Sequence, residues 1–158
     1  MIVVSDTTTL SNLLHLNKLD LLKNLFENVI IPEQVFDEIE RSSTLKGKLD
    51  NVAYISIIKV LEQVEEIDRN PDLDEGEKDA IKFAYLNKAD LLIIDEVNGR
   101  KAAVSFGLSI IGTIGILIAA KKKGLITDVK SYLAELKNKG FWMSQKFYAE
   151  ILKQVNEL

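Results

Sequence analysis

The stretch IVVSDTTTL, residues 2–10, sets a short, mostly apolar run against an acid and three threonines. Ile2 to Ser5 reads as a short buried strand, and Asp6 leaves that strand at the rim of a sheet, where open α/β folds place their ligands. Helical spacing then begins, with Leu10, Leu13 and Leu14 marking a helix over Thr7 to Leu16. The same grammar returns in LLIID, residues 91–95. Leu91 to Ile94 is a continuous apolar run, as in a strand buried on both faces, and it also ends in an acid, Asp95.

Between and beyond these two runs, strands and helices alternate. Leu19, Leu22, Leu25 and Phe26 mark a second helix over Lys18 to Phe26, and Val29 to Ile31 a second strand. Pro32 is expected at the first position of a helix whose apolar face is Val35, Phe36 and Ile39. Ser42 to Asn51 reads as a loop or a loosely held helix, Tyr54 to Val60 as a strand, and Glu62 to Leu73 as ambiguous. DEGEKDAIKFAYLNK, from Asp74, is an amphipathic helix. Glu96 to Phe106 is a helix stopped by Gly107, Ser109 to Ile111 a strand, and Thr113 to Lys123 a helix stopped by Gly124. Thr127 and Ser144 are expected to cap the last two helices. This alternation predicts a parallel sheet in a three-layer α/β/α sandwich, formed by one domain over residues 1–158.

Bulk properties narrow the class. At 158 residues the chain can bury a substantial core, and 47% hydrophobic with 28% charged residues fits a folded domain. The absence of cysteine excludes disulfides, thiol catalysis and cysteine-ligated zinc, and suits a reducing, cytoplasmic setting. No basic segment precedes an apolar stretch at the start, so no signal peptide is expected. Leu108 to Ala120 is uncharged but too short for a membrane helix, so no membrane partner is expected. A net charge of −4 argues against a generic nucleic-acid binder, though not against an enzyme that meets nucleic acid through cations and a local basic patch.

Four acids carry the chemistry: Asp6, Glu38, Glu77 and Asp95. Each also has a plain structural role open to it. Asp6 can cap the helix at Thr7, and Asp95 the helix at Glu96. Glu38 can belong to a solvated acidic face, although it borders the apolar stripe that Asp37 and Glu40 avoid. Asp74 and Glu77 match a D-x-x-E capping box. If the four converge, two carboxylates ~5 Å apart at an effective dielectric of ~20 repel by about 3 kcal/mol, so the set needs a cation. An all-oxygen site suits Mg2+ or Mn2+. Thr7 and Glu96 are auxiliary candidates beside the acids, and His15 reads as a packing or surface residue.

In order, SDTTTLSNLLHLNKLDLL, VIIPEQVFDEIE, LDEGEKDAIKFA, LLIIDEVNGRKAA and IIGTIGILIAAKKKGLI resemble the PIN-domain nucleases, specifically the VapC-like toxins, over nearly the whole chain. The resemblance implies a compact α/β/α sandwich and metal-dependent endoribonuclease activity. It places Asp6, Glu38, Glu77 and Asp95 as the four acids and Arg100 as the basic residue after the last. Glu77 stands where many such toxins have aspartate. Many also carry Ser or Thr near the last acid, a place that Thr113 can supply here. The implied partners are an RNA substrate, a second copy of the chain as a homodimer, and an antitoxin that covers the acidic pocket with a basic side chain.

Two other readings accompany this one. A catalytically silent PIN-like binding module would keep the scaffold without metal. An aspartate-based phosphotransfer domain would need a second aspartate two positions after Asp6, where Thr8 stands. Lys121 to Lys123 complement a helix C-terminus or contact an RNA backbone. Phe141, Trp142, Phe147 and Tyr148 read as core packing or a dimer seam rather than a base-stacking surface.

Overall fold

The computed structural model describes residues 1–158. Five strands, β1 (Val3–Ser5), β2 (Val29–Pro32), β3 (Ile55–Ile58), β4 (Leu91–Ile93) and β5 (Ile110–Ile111), form one sheet in the order β3-β2-β1-β4-β5. Every neighbouring pair is parallel, as the alternating pattern requires. The chain builds outward from β1 to β3 on one side, then returns to place β4 on the other side of β1. The winding reverses between β1 and β4, and a crevice opens there at the carboxyl ends of the strands.

The period-two pleat sorts the strand side chains onto two faces. Val3, Val29, Ile31 and Ile93 enter a core shared with α1 (Thr7–His15), α2 (Asp20–Phe26), α3 (Glu33–Glu40), α7 (Thr113–Lys122), α8 (Lys130–Asn138) and α9 (Gln145–Gln154). Val4, Leu92 and Ile94 enter a smaller core with α4 (Glu65–Asp68), α5 (Glu75–Leu86) and α6 (Val97–Ser105). The result is the three-layer sandwich with helices on both faces of a parallel sheet.

Several elements differ from expectation. Pro32 is the last residue of β2 and the N-cap of α3, one position before the helix proper. The strand expected over Tyr54 to Val60 contracts to Ile55–Ile58, an edge strand with Ile57 exposed. Ser42 to Asn51 is a run of turns, pinned by buried Leu45 and Leu49, and the acidic stretch before Asp74 contains one helical turn, α4. Thr127 does not cap α8. Asp128 Oδ2 accepts from the Ser131 N–H at 2.8 Å, and Glu157, distant in sequence, accepts from Val129 N–H at 2.7 Å and Lys130 N–H at 2.9 Å. Ser144 caps α9 as expected, accepting from the Phe147 N–H at 3.1 Å. No helix is long and apolar enough to cross a membrane.

Candidate active site

The first turn of α1 gathers the acids. Asp6 is the N-cap, and its Oδ1 accepts from the Thr9 N–H at 3.1 Å. The three threonines that follow each hold a different carboxylate. Thr7 donates its hydroxyl to Glu38 Oε2, Thr8 to Glu96 Oε1 at 3.4 Å, and Thr9 to Asp95 Oδ2 at 3.0 Å. Consecutive residues at a helix start point about 100° apart, so three hydroxyls in a row reach three directions around one helix end.

Asp95 is held most firmly. Besides Thr9, it accepts from Asn12 Nδ2 at 3.2 Å, from the Thr113 N–H at 2.9 Å and from the Thr113 hydroxyl. It does not cap α6, whose N-cap is Glu96 without a side-chain bond. It serves the N-terminus of α7 instead, where orphan N–H groups and the helix dipole favour an anion. Thr113 is fully buried and also accepts from Asn12 at 3.1 Å. Arg100 turns its guanidinium back to donate to the Ile94 carbonyl at 2.9 Å, beside Asp95.

On the other side of the crevice, Glu77 and Asp74 form the complete capping box of α5. Glu77 Oε1 accepts from the Asp74 N–H at 3.1 Å, and Asp74 Oδ1 from the Glu77 N–H at 2.8 Å. Glu38 Oε1 accepts from the Gly76 N–H at 3.1 Å, which sets α3 against the start of α5.

Three glycines make room for this arrangement. A Cβ on Gly76 would stand 2.8 Å from the Glu38 carboxylate, one on Gly99 2.5 Å from Glu77 Oε2, and one on Gly112 2.4 Å from Asp95 Oδ1. Each acid thus rests against a bare backbone where any larger residue would displace it. These glycines, with Thr9 and Asn12, are the site residues that sequence reasoning missed. The available signal was a glycine within three positions of an acid or threonine at the start of α5, α6 and α7.

The electrostatics follow from burial. Asp6 is fully buried, and desolvation pushes its carboxyl up to about 8, with the Asp95 charge adding to the rise and the Thr9 hydrogen bonds opposing it. Glu77 is also buried and raised, first by desolvation and then by the charges of Asp74, Glu96 and Glu38, against the Asp74 N–H. Two buried side-chain polar atoms in the protein lack a hydrogen-bond partner, and they are Asp6 Oδ2 and Glu77 Oε2. Such an atom costs about 1–3 kcal/mol unless something completes it. A protonated carboxyl can donate and an ionised one only accepts, so for the ionised form the completing group is a donor or a cation. This donor set, all oxygen and partly uncompensated, fits a hard divalent cation. No three of these acids converge within coordinating reach of one point, so a cation held here would draw much of its shell from water.

A reversal point in a parallel α/β sheet, with carboxylates gathered beside it, defines an open α/β domain with an acidic crevice at its switch point. The chain belongs to the PIN-domain family, whose DUF3368 model matches residues 2–157. PIN domains are commonly nucleases and typically use divalent metal ions. Among solved structures, the chain is similar to a PilT N-terminus domain protein from the hyperthermophilic archaeon Sulfolobus solfataricus P2, at 16% identity and a TM-score of 0.60, covering 76% of this chain and 93% of that one. That likeness concerns the fold. No curated protein matches the sequence.

Proposed function

We propose that this protein is a Mg2+- or Mn2+-dependent endoribonuclease, the toxin of a toxin–antitoxin pair acting in the cytoplasm. The observation that carries the reading is the pair of uncompleted buried oxygens on Asp6 and Glu77, two of the four acids held around the start of α1 and α5. Asp6, Glu38, Glu77 and Asp95 are the residues that would hold the cation, directly or through water. When bound, the cation supplies Lewis acidity towards a phosphodiester and lowers the pKa of water. The chain's own residues do the positioning. Thr7, Thr9, Asn12 and Thr113 fix the carboxylates, and Arg100 stands at the rim as a charge for the phosphate. The toxin role, the homodimer and the antitoxin follow from the resemblance to VapC-like proteins.

Manganese titration with cleavage of a mixed RNA pool, run beside Asp6→Asn and Asp95→Asn, tests the reading. Manganese-dependent cleavage in wild type and its loss in both variants supports it. Full activity in either folded variant contradicts it. One observation favours a second reading, a silent binding module: Asp95 already accepts from four protein donors. Calorimetry showing no manganese binding at millimolar concentration would favour that module.

A further inference from the structure

Trp142 is the protein's single tryptophan, and it is 82% exposed. The residues on either side explain how it is held there. Phe141 packs against the main core and Met143 is buried, so the chain alternates in, out and in across the link from α8 to α9. Gly140, at φ +93°, turns the chain into this link, the Phe141 N–H donates to the Leu136 carbonyl at 2.9 Å, and Ser144 caps α9 immediately beyond. The indole is a large apolar plate on a firmly anchored backbone. Of the two sequence expectations, core packing does not apply to it, and a dimer seam would need a second copy over it.

Its position relative to the acids gives it meaning. Trp142 and Phe141 stand between two cavities, and Asp95 lines both. On one side lies a polar trench with Thr8, Asn12, Glu96 and Lys139. On the other lies a cavity of about 590 Å3 with an apolar wall that includes Val97, Ile110, Ile114 and Phe147. A ligand that crosses Trp142 therefore needs an apolar, flat part on one side and a charged part on the other. A nucleotide of an unpaired strand has both: a base with a π-face and a phosphate. The phosphate side meets Lys139 and any cation held by the acids, while Arg100 lines the other cavity. The base side meets indole and aliphatic carbon. A docked surface that offers only apolar side chains would use the apolar cavity and leave the polar trench without a role.

We propose that Trp142 is a positioning residue on which a base of single-stranded nucleic acid stacks, placing the adjacent phosphodiester at the acidic crevice. The inference rests on the nuclease reading for its substrate. A duplex offers no free π-face, so the platform selects single strands.

The test uses the full chain in manganese, a short mixed-sequence oligoribonucleotide, and the same strand annealed to its complement. Indole emission reports Trp142 alone, and rapid mixing records it before turnover. Quenching by the single strand and not by the duplex is expected. Trp142→Ala should raise KM roughly 5- to 100-fold with a smaller change in kcat, and Trp142→Phe should restore most of the loss. Because the side chain is exposed, both variants should melt with wild type, which separates the effect from misfolding. Quenching without any cleavage supports the platform and removes the nuclease reading. Cleavage with unquenched emission and an unchanged KM in Trp142→Ala overturns the platform and leaves the nuclease. Emission that follows protein concentration rather than oligonucleotide, with a doubled mass by light scattering, overturns it in favour of a second copy.

Discussion

At the scale of single residues, a carboxylate has two oxygens, and this protein uses them differently. Asp6 and Glu77 each spend one oxygen on a helix cap and leave the other buried and uncompleted. In the sequence the capping role and the proposed site role look like rivals for the same residue, yet a cap uses one oxygen and leaves the other for a ligand. That division was not legible, because it depends on what the fold brings near each atom. The glycines beside the acids were equally silent. Gly99→Ala tests their role: its Cβ would meet Glu77 Oε2 at 2.5 Å and buried Ile94 Cδ1 at 2.7 Å. Urea denaturation should show a loss of about 1–3 kcal/mol, and manganese affinity should fall with it. Gly112→Ala meets mainly the Asp95 carboxylate and the Arg100 guanidinium. It should therefore abolish cleavage of the RNA pool at a smaller cost in stability.

At the scale of elements, local pattern served well wherever a segment was buried on a clear face. β1, β4 and the leucine-spaced α1 and α2 lie where the apolar runs place them. The edge strand β3 was blurred because its residues are only partly covered, and its alternation is correspondingly imperfect. Of the two roles expected for Trp142, its exposure removes core packing, which its apolar neighbours suggest, and leaves the dimer seam. The cap of α8 was hidden for a different reason, since Glu157 reaches it from the far end of the chain. Glu157 also pairs with Lys121 at 3.0 Å, which removes one lysine from the basic run. That run ends α7 about 15 Å along the helix axis from Thr113 and the acids, so it complements the helix dipole rather than serving the crevice. Burial alone would raise the Glu157 carboxyl, but the Val129 and Lys130 N–H groups and Lys121 outweigh it and hold the group below the ordinary glutamate range. Its stabilising contribution is therefore complete above that range and is lost as pH falls through the lowered value. Glu157→Gln should cost about 1 kcal/mol at pH 7 in chemical denaturation. The gap to wild type should close in acid, and a gap that stayed constant with pH would contradict the assignment.

At the scale of the whole molecule, the sheet order decides where chemistry can occur. Because the winding reverses between β1 and β4, Asp6 and Asp95 emerge side by side, and α3, α5 and α7 deliver Glu38, Glu77 and Thr113 to the same rim. The strand-end acids were legible as candidates, and the family likeness named all four, but their arrangement around one helix turn belongs to the fold. Threonine hydroxyls and the Gly76 N–H hold the acids in place through contacts within the protein. Treatment with EDTA should leave the far-UV circular dichroism unchanged. Added Mn2+ should raise the melting temperature as its concentration passes the dissociation constant, and Asp6→Asn should abolish that rise. The most direct measurement is calorimetric titration of Mn2+ into wild type, Asp6→Asn and Glu77→Gln. Saturable binding in wild type, weakened at least about tenfold (1.4 kcal/mol) in both variants, is the predicted result. Equal binding in all three proteins, or none in wild type, would contradict the claim that the two uncompleted oxygens are there to meet a cation.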